Sequence, residues 1–553
     1  MNNRFLKKES IWIFLLPLTL FILIRAPLLH FPPFGDEDLL IRDAASLGHS
    51  NLCGYPILAM IFIRIGMAFL ALNQLRWVVF IFSLGVFALT ALIAKELLGF
   101  WTAFWACLFL AVNPLSISVS CQLLFDGAFV CLFFLATVYF YIRCSRENSN
   151  WRLILWIVAC GLSFGLLQMT SYAAFALISG IALHSLLRQG LKKTILIFGG
   201  VFAFGAAVFS IYPAFFPAHY HFSTLKLAVV RKGTNISMLG LAAPRWYYAA
   251  SLGKAVVFSG PLALLGTLFS LVSSRCRRET EIPLLASLVY CALILIFLNP
   301  TRTSGYWASV IPFFCIASAA AFTKDFIPIS SNFISLFLLT TFYWAIFALL
   351  TWMGPFAIVP LHPLHFSGRT FVDFLTLRMF YGPSLCLYVR PAAAIFGFLG
   401  FALFLILLQK KPSFQRHLLA LGLAYGVFYG LEYVHPLFSP NLNKVGEEIL
   451  SFLEKKSLPE PIYLHGYGAF NCELHGVHVY PFMYDDAQGR HIARLASRSK
   501  GSVVIVDSPV IGPETDLMRF LRHNASLTRD FRDKGVILAQ IWTIQRTAVK
   551  AAP

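Results

Sequence analysis

The sequence predicts an all-α polytopic membrane protein with a small α/β domain at its C-terminal end, and three observations lead to this fold class. Hydrophobic residues make up 58% of the 553 residues and charged residues only 12%, whereas soluble domains carry about 25% charged residues. Uncharged apolar runs long enough to cross a hydrocarbon core of about 30 Å recur between Trp12 and Leu431. From about residue 440, short β-like runs alternate with charged segments.

The net charge of +19 indicates membrane topology and not a nucleic-acid partner. Much of the positive charge lies in short loops between apolar runs, and such loops stay in the cytoplasm. The basic loops carry Arg4/Lys7/Lys8, Arg143/Arg146/Arg152, Arg188/Lys192/Lys193, Arg275/Arg277/Arg278 and Lys410/Lys411/Arg416. With the N-terminus inside, they fix the direction of each span.

Because the first two basic loops both lie in the cytoplasm, the chain must cross the membrane an even number of times between them. One of the five apolar stretches in that interval therefore does not cross. The stretch 56–72 carries Arg64 at its centre, so we predict that it lies in the outer interface and does not cross. The other stretches give about thirteen spans. These are 11–29, 77–95, 101–119, 127–142, 153–169, 171–187, 194–212, 253–272, 282–298, 307–322, 331–350, 388–408 and 417–434. The odd number places everything after Leu437 outside.

The sequence therefore divides into a membrane domain, 1–437, and a soluble extracytoplasmic α/β domain, 440–553. We predict strands at 462–464, 503–506 and 536–541 in the second domain, with helices around 444–455 and 514–522. No grouping of acid, histidine and nucleophile stands out there. We expect this domain to cover the outer site or to help select the acceptor.

Carboxylates follow the first span and reappear at one later position. Asp36, Glu37 and Asp38 open a predicted helix after Gly35, and Asp126 stands alone between two long apolar runs on the same outer side. Such acids can cap helices. They can also act as a general base toward a hydroxyl group. The sequence alone leaves both interpretations open.

Cations and histidines on the outer side are candidate ligand-binding groups. Arg25 ends the first span and either snorkels to the headgroups or pairs with the acids. Arg231 and Arg302 suit phosphate, either of bulk lipid or of one lipid substrate. His219 and His221 offer imidazoles to a metal ion but have no acid at fixed spacing, so no cofactor is assigned and a divalent metal stays open.

The order of these features resembles the lipid-dependent GT-C glycosyltransferases, in particular the bacterial aminoarabinose transferase and protein O-mannosyltransferase group. The resemblance is dense from residue 11 to about 145, patchy to 320 and absent in the tail. It is carried by Asp36-Glu37, Gly54-Tyr55-Pro56-Ile57-Leu58, Leu75-Arg76, Lys95 to Trp101, Asn113-Pro114-Leu115-Ser116, Asp126, and Arg302 with Tyr306 and Pro312.

The resemblance implies an inverting transferase that takes a sugar from a polyprenyl phosphate on the outer face. Asp36 matches the catalytic carboxylate, with Glu37 beside it, and Asp126 matches the second acid. Arg302 and Tyr306 match residues near the lipid phosphate. Where the family often has His or Lys before a double proline, this chain has Tyr55-Pro56, and His49 is the candidate to replace that contact.

The expected donor is thus a polyprenyl-phosphate-linked sugar, and the acceptor is a lipid, a glycan or a protein. The expected location is the bacterial inner membrane. Two alternatives remain at this point: an enzyme of the O-antigen ligase or polymerase type, and a polytopic transporter or flippase. The first alternative would be expected to rely on outer arginines and a histidine in a late large loop, and not on an Asp-Glu pair in the first outer loop. The second would need acids that face one another across repeats at mid-membrane, whereas Asp36, Glu37 and Asp126 all lie at one surface.

Overall fold

The structure is a computed structural model, and it is mostly helical with a small sheet near the C-terminus. It describes residues 5–30, 36–45, 57–121, 125–171, 173–215, 261–272, 274–297, 307–323, 333–352, 412–434, 442–465, 476–482, 501–506, 516–533 and 536–544, together with Leu47, Leu123 and Cys472.

The N-terminal part is built from nine helices in the described ranges up to residue 215. They are α1 Phe5–Arg25, α2 Asp36–Ala45, α3 Ile57–Phe69, α4 Arg76–Leu98, α5 Phe100–Val112, α6 Pro114–Ser120, α7 Val130–Arg146, α8 Asn150–Thr170 and α9 Ala174–Phe215. Short 3₁₀ turns cover Ala26–Leu28 and Leu72–Gln74, and a π segment, Phe125–Phe129, precedes α7. Later helices cover Pro261–Val272, Ser274–Glu279, Glu281–Phe297, Ile311–Ala321, Phe333–Trp352 and Pro412–Val434, with a 3₁₀ turn at Ala308–Val310.

Four helical stretches in the described residues are long and apolar enough to cross a membrane by length and composition. They are Leu72–Leu98, Gly127–Arg146, Asn150–Thr170 and Ala174–Ser210. The predicted total of about thirteen spans is therefore not confirmed, and the predicted span 388–408 lies outside the described residues. The predicted span 194–212 lies within α9, and the span predicted at 171–187 lies within it from Ala174 onward; α9 has non-helical geometry at Gly190, where φ is +79°.

The predicted span 101–119 is not one helix but two. Pro114 has no N–H to continue the hydrogen bonding of α5, so that helix ends at Val112. The side chain of Asn113 accepts a hydrogen bond from the Ser116 N–H at 2.9 Å, which caps the start of α6. Proline also fits the first position of the new helix. The chain direction is thus reset just before the segment that leads to Asp126.

The stretch predicted not to cross forms α3, a helix of 13 residues. At 1.5 Å per residue it is about 20 Å long, shorter than a hydrocarbon core of about 30 Å. It packs against α2, α4 and α8. Its length agrees with the prediction, while its place in the outer interface stays a prediction.

Small residues let α8 and α9 pack closely. A Cβ atom on Gly165 would meet the Val208 Cβ at 2.6 Å and the Gly205 carbonyl oxygen at 3.0 Å. A Cβ on Gly161 would meet the Val201 carbonyl oxygen at 3.1 Å. Close approach of backbones through small residues is a usual way for helices to associate in a membrane.

The C-terminal sheet has five strands in the order β2-β1-β3-β5-β4. They are β1 Ile462–His465, β2 Tyr480–Phe482, β3 Ser502–Val506, β4 Ala525–Asp533 and β5 Val536–Ile544. β1 pairs in parallel with β2 and β3, whereas β5 pairs antiparallel with β3 and β4. Strands at the three predicted places are confirmed, and β2 and β4 were not predicted.

A helix covers each face of this sheet. Alternate residues of a strand point to opposite faces, and Ile462 and Leu464 pack with residues of the helix Leu442–Lys455. Tyr463 packs on the other face with residues of the helix Asp516–Asn524. This α/β arrangement agrees with the predicted fold of the tail, whose boundaries and side of the membrane stay predictions.

Candidate functional site

A buried ion pair holds the start of α2 against the start of α4. The Glu37 Oε2 atom lies 2.6 Å from Arg76 Nη2, and the two side chains are only 5% and 6% exposed. Arg76 also donates a hydrogen bond to the Leu28 carbonyl oxygen at 3.2 Å. The pair therefore joins α2 and α4 to the turn that follows α1.

The second oxygen of Glu37 reaches a distant segment of the chain. Glu37 Oε1 accepts a hydrogen bond from the Leu123 N–H at 2.8 Å. Leu123 lies between α6 and the π segment, so one carboxylate fixes this connection relative to α2. With one oxygen on a guanidinium and the other on a backbone N–H, Glu37 is suited to positioning its neighbours. The catalytic role that the family resemblance suggested for it stays untested.

The predicted base and the predicted second acid flank these contacts along the chain. Asp36 is the first residue of α2 and precedes Glu37. Asp126 lies in the π segment, three positions after Leu123. The structure describes the backbone of both residues, and their side chains lie outside the described atoms. The Glu37–Leu123 hydrogen bond thus connects the segment of Asp36 to the segment of Asp126.

An apolar cluster supports this junction. Leu40, Ile41 and Ala44 of α2 pack with buried residues of α3 and α4, and with Leu123 and Phe129. Three aromatic rings from α3, α4 and the π segment meet there: the ring centroids of Phe62 and Phe82, and of Phe82 and Phe129, are 4.6 Å apart. Close packing restricts how far the two acid-bearing segments can shift.

The π segment is itself confined by its neighbours. A Cβ atom on Gly127 would lie 3.1 Å from the Val119 carbonyl oxygen, so the backbone next to Asp126 approaches α6 closely. The segment also contacts the turn Ala308–Val310. Just beyond it, the Cys131 thiol donates to the Ser309 carbonyl oxygen at 3.8 Å. The stretch that follows Tyr306 is therefore adjacent to the segment that carries Asp126.

Arg25 lies fully buried at the end of α1, and its partners are neutral. It donates to Ser120 Oγ at 2.6 Å and to Ser116 Oγ at 3.0 Å. It also donates to the carbonyl oxygens of Phe21, Leu110 and Ala111, at 3.1, 3.4 and 2.9 Å. The guanidinium carbon lies 3.6 Å from the centroid of the Phe21 ring. The substrate-binding role predicted for Arg25 requires that one of these hydrogen bonds be broken.

The other predicted site residues cannot be placed. His49, Arg231, Arg302, Tyr306, His219 and His221 lie outside the described residues. Within the described part of the chain, no group of three or more His, Cys, Asp and Glu side chains could hold a metal ion. Whether His219 and His221 bind a divalent metal ion therefore stays a prediction, since both lie outside the described residues.

Sequence reasoning did not identify Arg76, Ser116 and Ser120 as site residues. Arg76 stands at the boundary of a predicted span, where a cation is usually taken as a topology signal. The two serines are four positions apart and lie on one face of a helix, but the sequence gives no sign that Arg25 is their partner. The sequence does contain a local signal for the helix break, because Asn113 is a usual capping residue and Pro114 suits the first position of a helix.

Comparison with solved structures shows that the chain has an ArnT-like fold, as the resemblance predicted. The crystal structure of ArnT from Cupriavidus metallidurans bound to undecaprenyl phosphate matches with a TM-score of 0.51 and 15% identity, over 99% of this chain and 99% of the ArnT chain. The apo crystal structure of the same protein has a TM-score of 0.49 and 15% identity, over 97% and 98% of the two chains. No protein-family model matches the sequence, and no curated protein matches it.

This fold and the long apolar helices identify an integral membrane protein. The likeness to ArnT extends over both the membrane helices and the C-terminal tail, although the sequence resemblance did not reach the tail.

Proposed function

We propose that this protein is a membrane glycosyltransferase that moves a sugar from a polyprenyl-phosphate donor to a hydroxyl group of an acceptor. The GT-C fold supports the class of enzyme, and the undecaprenyl phosphate in the ArnT structure supports the class of donor. The single observation that carries the proposal to this chain is the buried Glu37 carboxylate, which joins the segments of Asp36 and Asp126. The acceptor is a lipid, a glycan or a protein.

In the proposed reaction, Asp36 is the general base. It takes the proton of the acceptor hydroxyl as that oxygen attacks the anomeric carbon of the sugar. The new carbon–oxygen bond forms while the bond between the sugar and the lipid phosphate breaks, and the polyprenyl phosphate leaves with the electron pair. Attack from the side opposite the phosphate inverts the configuration at this carbon.

The remaining site residues take supporting roles in the proposal. Asp126 is the second carboxylate, and Glu37 positions both acids through Arg76 and Leu123. The leaving phosphate is stabilised by cationic and hydrogen-bonding side chains. The candidates for this role are Arg302, Tyr306, Arg231 and His49.

We further propose that the reaction takes place on the outer face of a bacterial inner membrane. Nucleotide sugars are not expected there, so a donor that is already linked to lipid suits this side. The basic loops support an N-terminus inside and a C-terminal domain outside. In this arrangement the tail adjoins the proposed site and helps to select the acceptor.

The test is sugar transfer by the purified, full-length protein in lipid nanodiscs, with a set of polyprenyl-phosphate sugars and hydroxyl acceptors. We expect Asp36→Asn to lower the rate of transfer by about 10² to 10⁴, because the acceptor hydroxyl keeps its proton during attack. Elution as a monodisperse species and an unchanged thermal unfolding temperature establish that the variant is folded.

Asp38→Asn is the matched control. It makes the same change of carboxylate to amide two positions further along α2, at an acid to which the proposal gives no role in the reaction. We expect it to retain transfer within about threefold, well short of the effect of losing a general base. Wild-type transfer rates in Asp36→Asn would show that Asp36 is not the base.

A further inference from the structure

Arg25 carries the strongest unexplained feature in the described part of the chain, a buried cation whose partners are all neutral. A guanidinium group has five N–H donors. Each of them is matched by one of the five acceptors: two serine hydroxyls and three carbonyl oxygens. The group therefore has no N–H left with which to bind a phosphate.

The acceptors are grouped around the break between α5 and α6. The last carbonyl groups of a helix have no partner within that helix. Pro114 cannot donate to Leu110, and Arg25 donates to the carbonyl oxygens of both Leu110 and Ala111. A positive charge at this end is also favoured by the helix dipole. Arg25 thus completes the C-terminus of α5.

The same group holds the helix on the other side of the break. Arg25 binds Ser116 and Ser120, which lie four positions apart on α6. Cys121 follows directly, and its thiol donates to the Arg25 carbonyl oxygen at 3.9 Å. Two positions later, the Leu123 N–H is held by Glu37. The short connection from Ser120 to Leu123 is therefore fixed at both ends.

We propose that Arg25 is a positioning residue: it locks the α5–α6 break and so sets the place of the segment that carries Asp126. This inference rests on the proposed sugar transfer, because Asp126 is the second acid of that reaction. Arg25 acts through the helix break and does not contact the donor. The partners fit this role, since five acceptors on three helices, α1, α5 and α6, fix the orientation of the whole planar group.

The first experiment separates positioning from phosphate binding. In full-length Arg25→Ala we expect kcat to fall about 10- to 100-fold, since a small displacement of a catalytic group has effects of this size. We expect KM for the polyprenyl-phosphate sugar to stay within about threefold, because no donor contact is removed. A tenfold rise in KM at unchanged kcat would overturn the proposal.

A lysine variant tests whether the reaction needs the geometry of the Arg25 guanidinium or only its positive charge. Arg25→Lys keeps the cation but has only three donors on a tetrahedral nitrogen. We expect it to restore less than half of the lost kcat. Full restoration by lysine would mean that the positive charge alone is sufficient, and it would contradict a positioning role.

A second readout does not depend on the reaction. Cys121 is buried against Arg25, and loosening of the break should expose its thiol. We expect N-ethylmaleimide to alkylate Cys121 at least tenfold faster in Arg25→Ala than in wild type, measured by peptide mass spectrometry. Arg152→Ala, which removes an exposed arginine at the start of α8, should leave both the alkylation rate and kcat unchanged.

The two proposals can fail separately. If the wild-type protein transfers no sugar, the proposed function fails while the Cys121 readout still tests Arg25. If Arg25→Ala does not fold, the double variant Ser116→Ala/Ser120→Ala removes two acceptors and keeps the cation, and we expect changes in the same direction. Unchanged kcat together with unchanged alkylation in a folded variant would refute the positioning role.

Discussion

The carboxylate of Glu37 holds the backbone N–H of Leu123 at 2.8 Å, although the two residues are 86 positions apart in the sequence. The other oxygen of the same carboxylate is paired with Arg76 at 2.6 Å. The Glu37 side chain thereby connects the two acid-bearing segments directly, in addition to the apolar cluster that packs around them. It also makes the arrangement sensitive to the loss of one charge.

Removal of Glu37 should destabilise the protein strongly. We expect Glu37→Ala to lower the free energy of unfolding by about 3–5 kcal/mol, because it leaves the Arg76 charge buried and without its carboxylate. The double variant Glu37→Leu/Arg76→Met removes both charges, so it should be more stable than Glu37→Ala. Thermal or denaturant unfolding in detergent measures both effects, and a double variant as unstable as the sum of the single changes would show that the pair is not coupled.

The exposed cluster at Glu96 provides the matched control for this pair. Glu96 contacts Arg143 and Arg146 at 3.2 and 3.1 Å, with side chains between 26% and 48% exposed. Exposed ion pairs contribute about 0–1 kcal/mol. We therefore expect Glu96→Gln to lower the free energy of unfolding by no more than about 1 kcal/mol.

A side chain at Gly127 should displace the segment of Asp126. A Cβ there would be 3.1 Å from the Val119 carbonyl oxygen and 3.4 Å from the Val119 Cβ. We expect Gly127→Val to lower kcat about 10-fold or more, with a smaller decrease for Gly127→Ala. Gly199→Ala is the control, because a Cβ at Gly199 meets no atom within 4 Å. Equal kcat values for Gly127→Val and wild type would contradict this account of the π segment.

The C-terminal sheet should contribute to acceptor choice and not to the chemical step. A chain that ends near Pro440 should keep hydrolysis of the donor, or transfer to a simple acceptor, and should lose preference among natural acceptors. Comparison of kcat/KM across an acceptor panel tests this expectation. Transferase activity in the isolated tail would contradict it, as would labelling of a cysteine at residue 450 from the cytoplasmic side only.

The sequence was sufficient for much of the fold because hydropathy and helix ends are local signals. The predicted span 77–95 lies within α4, Arg76–Leu98, and the predicted strand 503–506 lies within β3. The division of 101–119 was missed because both halves are apolar, and average hydropathy does not respond to one Asn-Pro pair. β4 was missed because it is rich in charged residues, and its place at the edge of the sheet permits them.

The candidate site was predictable only in part. Arg25 drew attention because it lies within the predicted span 11–29, where ionisable residues are rare. Glu37 drew attention because it belongs to a run of three acids that follows this span. Their partners could not be predicted, because Arg76 and Leu123 are brought to Glu37 by packing between helices that are far apart in sequence. The acceptors of Arg25 are serine hydroxyls and backbone carbonyl oxygens, so no charged residue in the sequence indicates where its partners lie.

The separation of these partners along the chain has a consequence for biogenesis. Arg25 is synthesised 85 to 95 residues before the α5 and α6 groups that bind its guanidinium. Glu37 likewise precedes Arg76 by 39 positions and Leu123 by 86. During translation, the first helix therefore enters the bilayer with a cation that has not met most of its partners. A nascent chain that stalls before α5 leaves four of the five N–H donors of Arg25 without their acceptors until the later helices arrive.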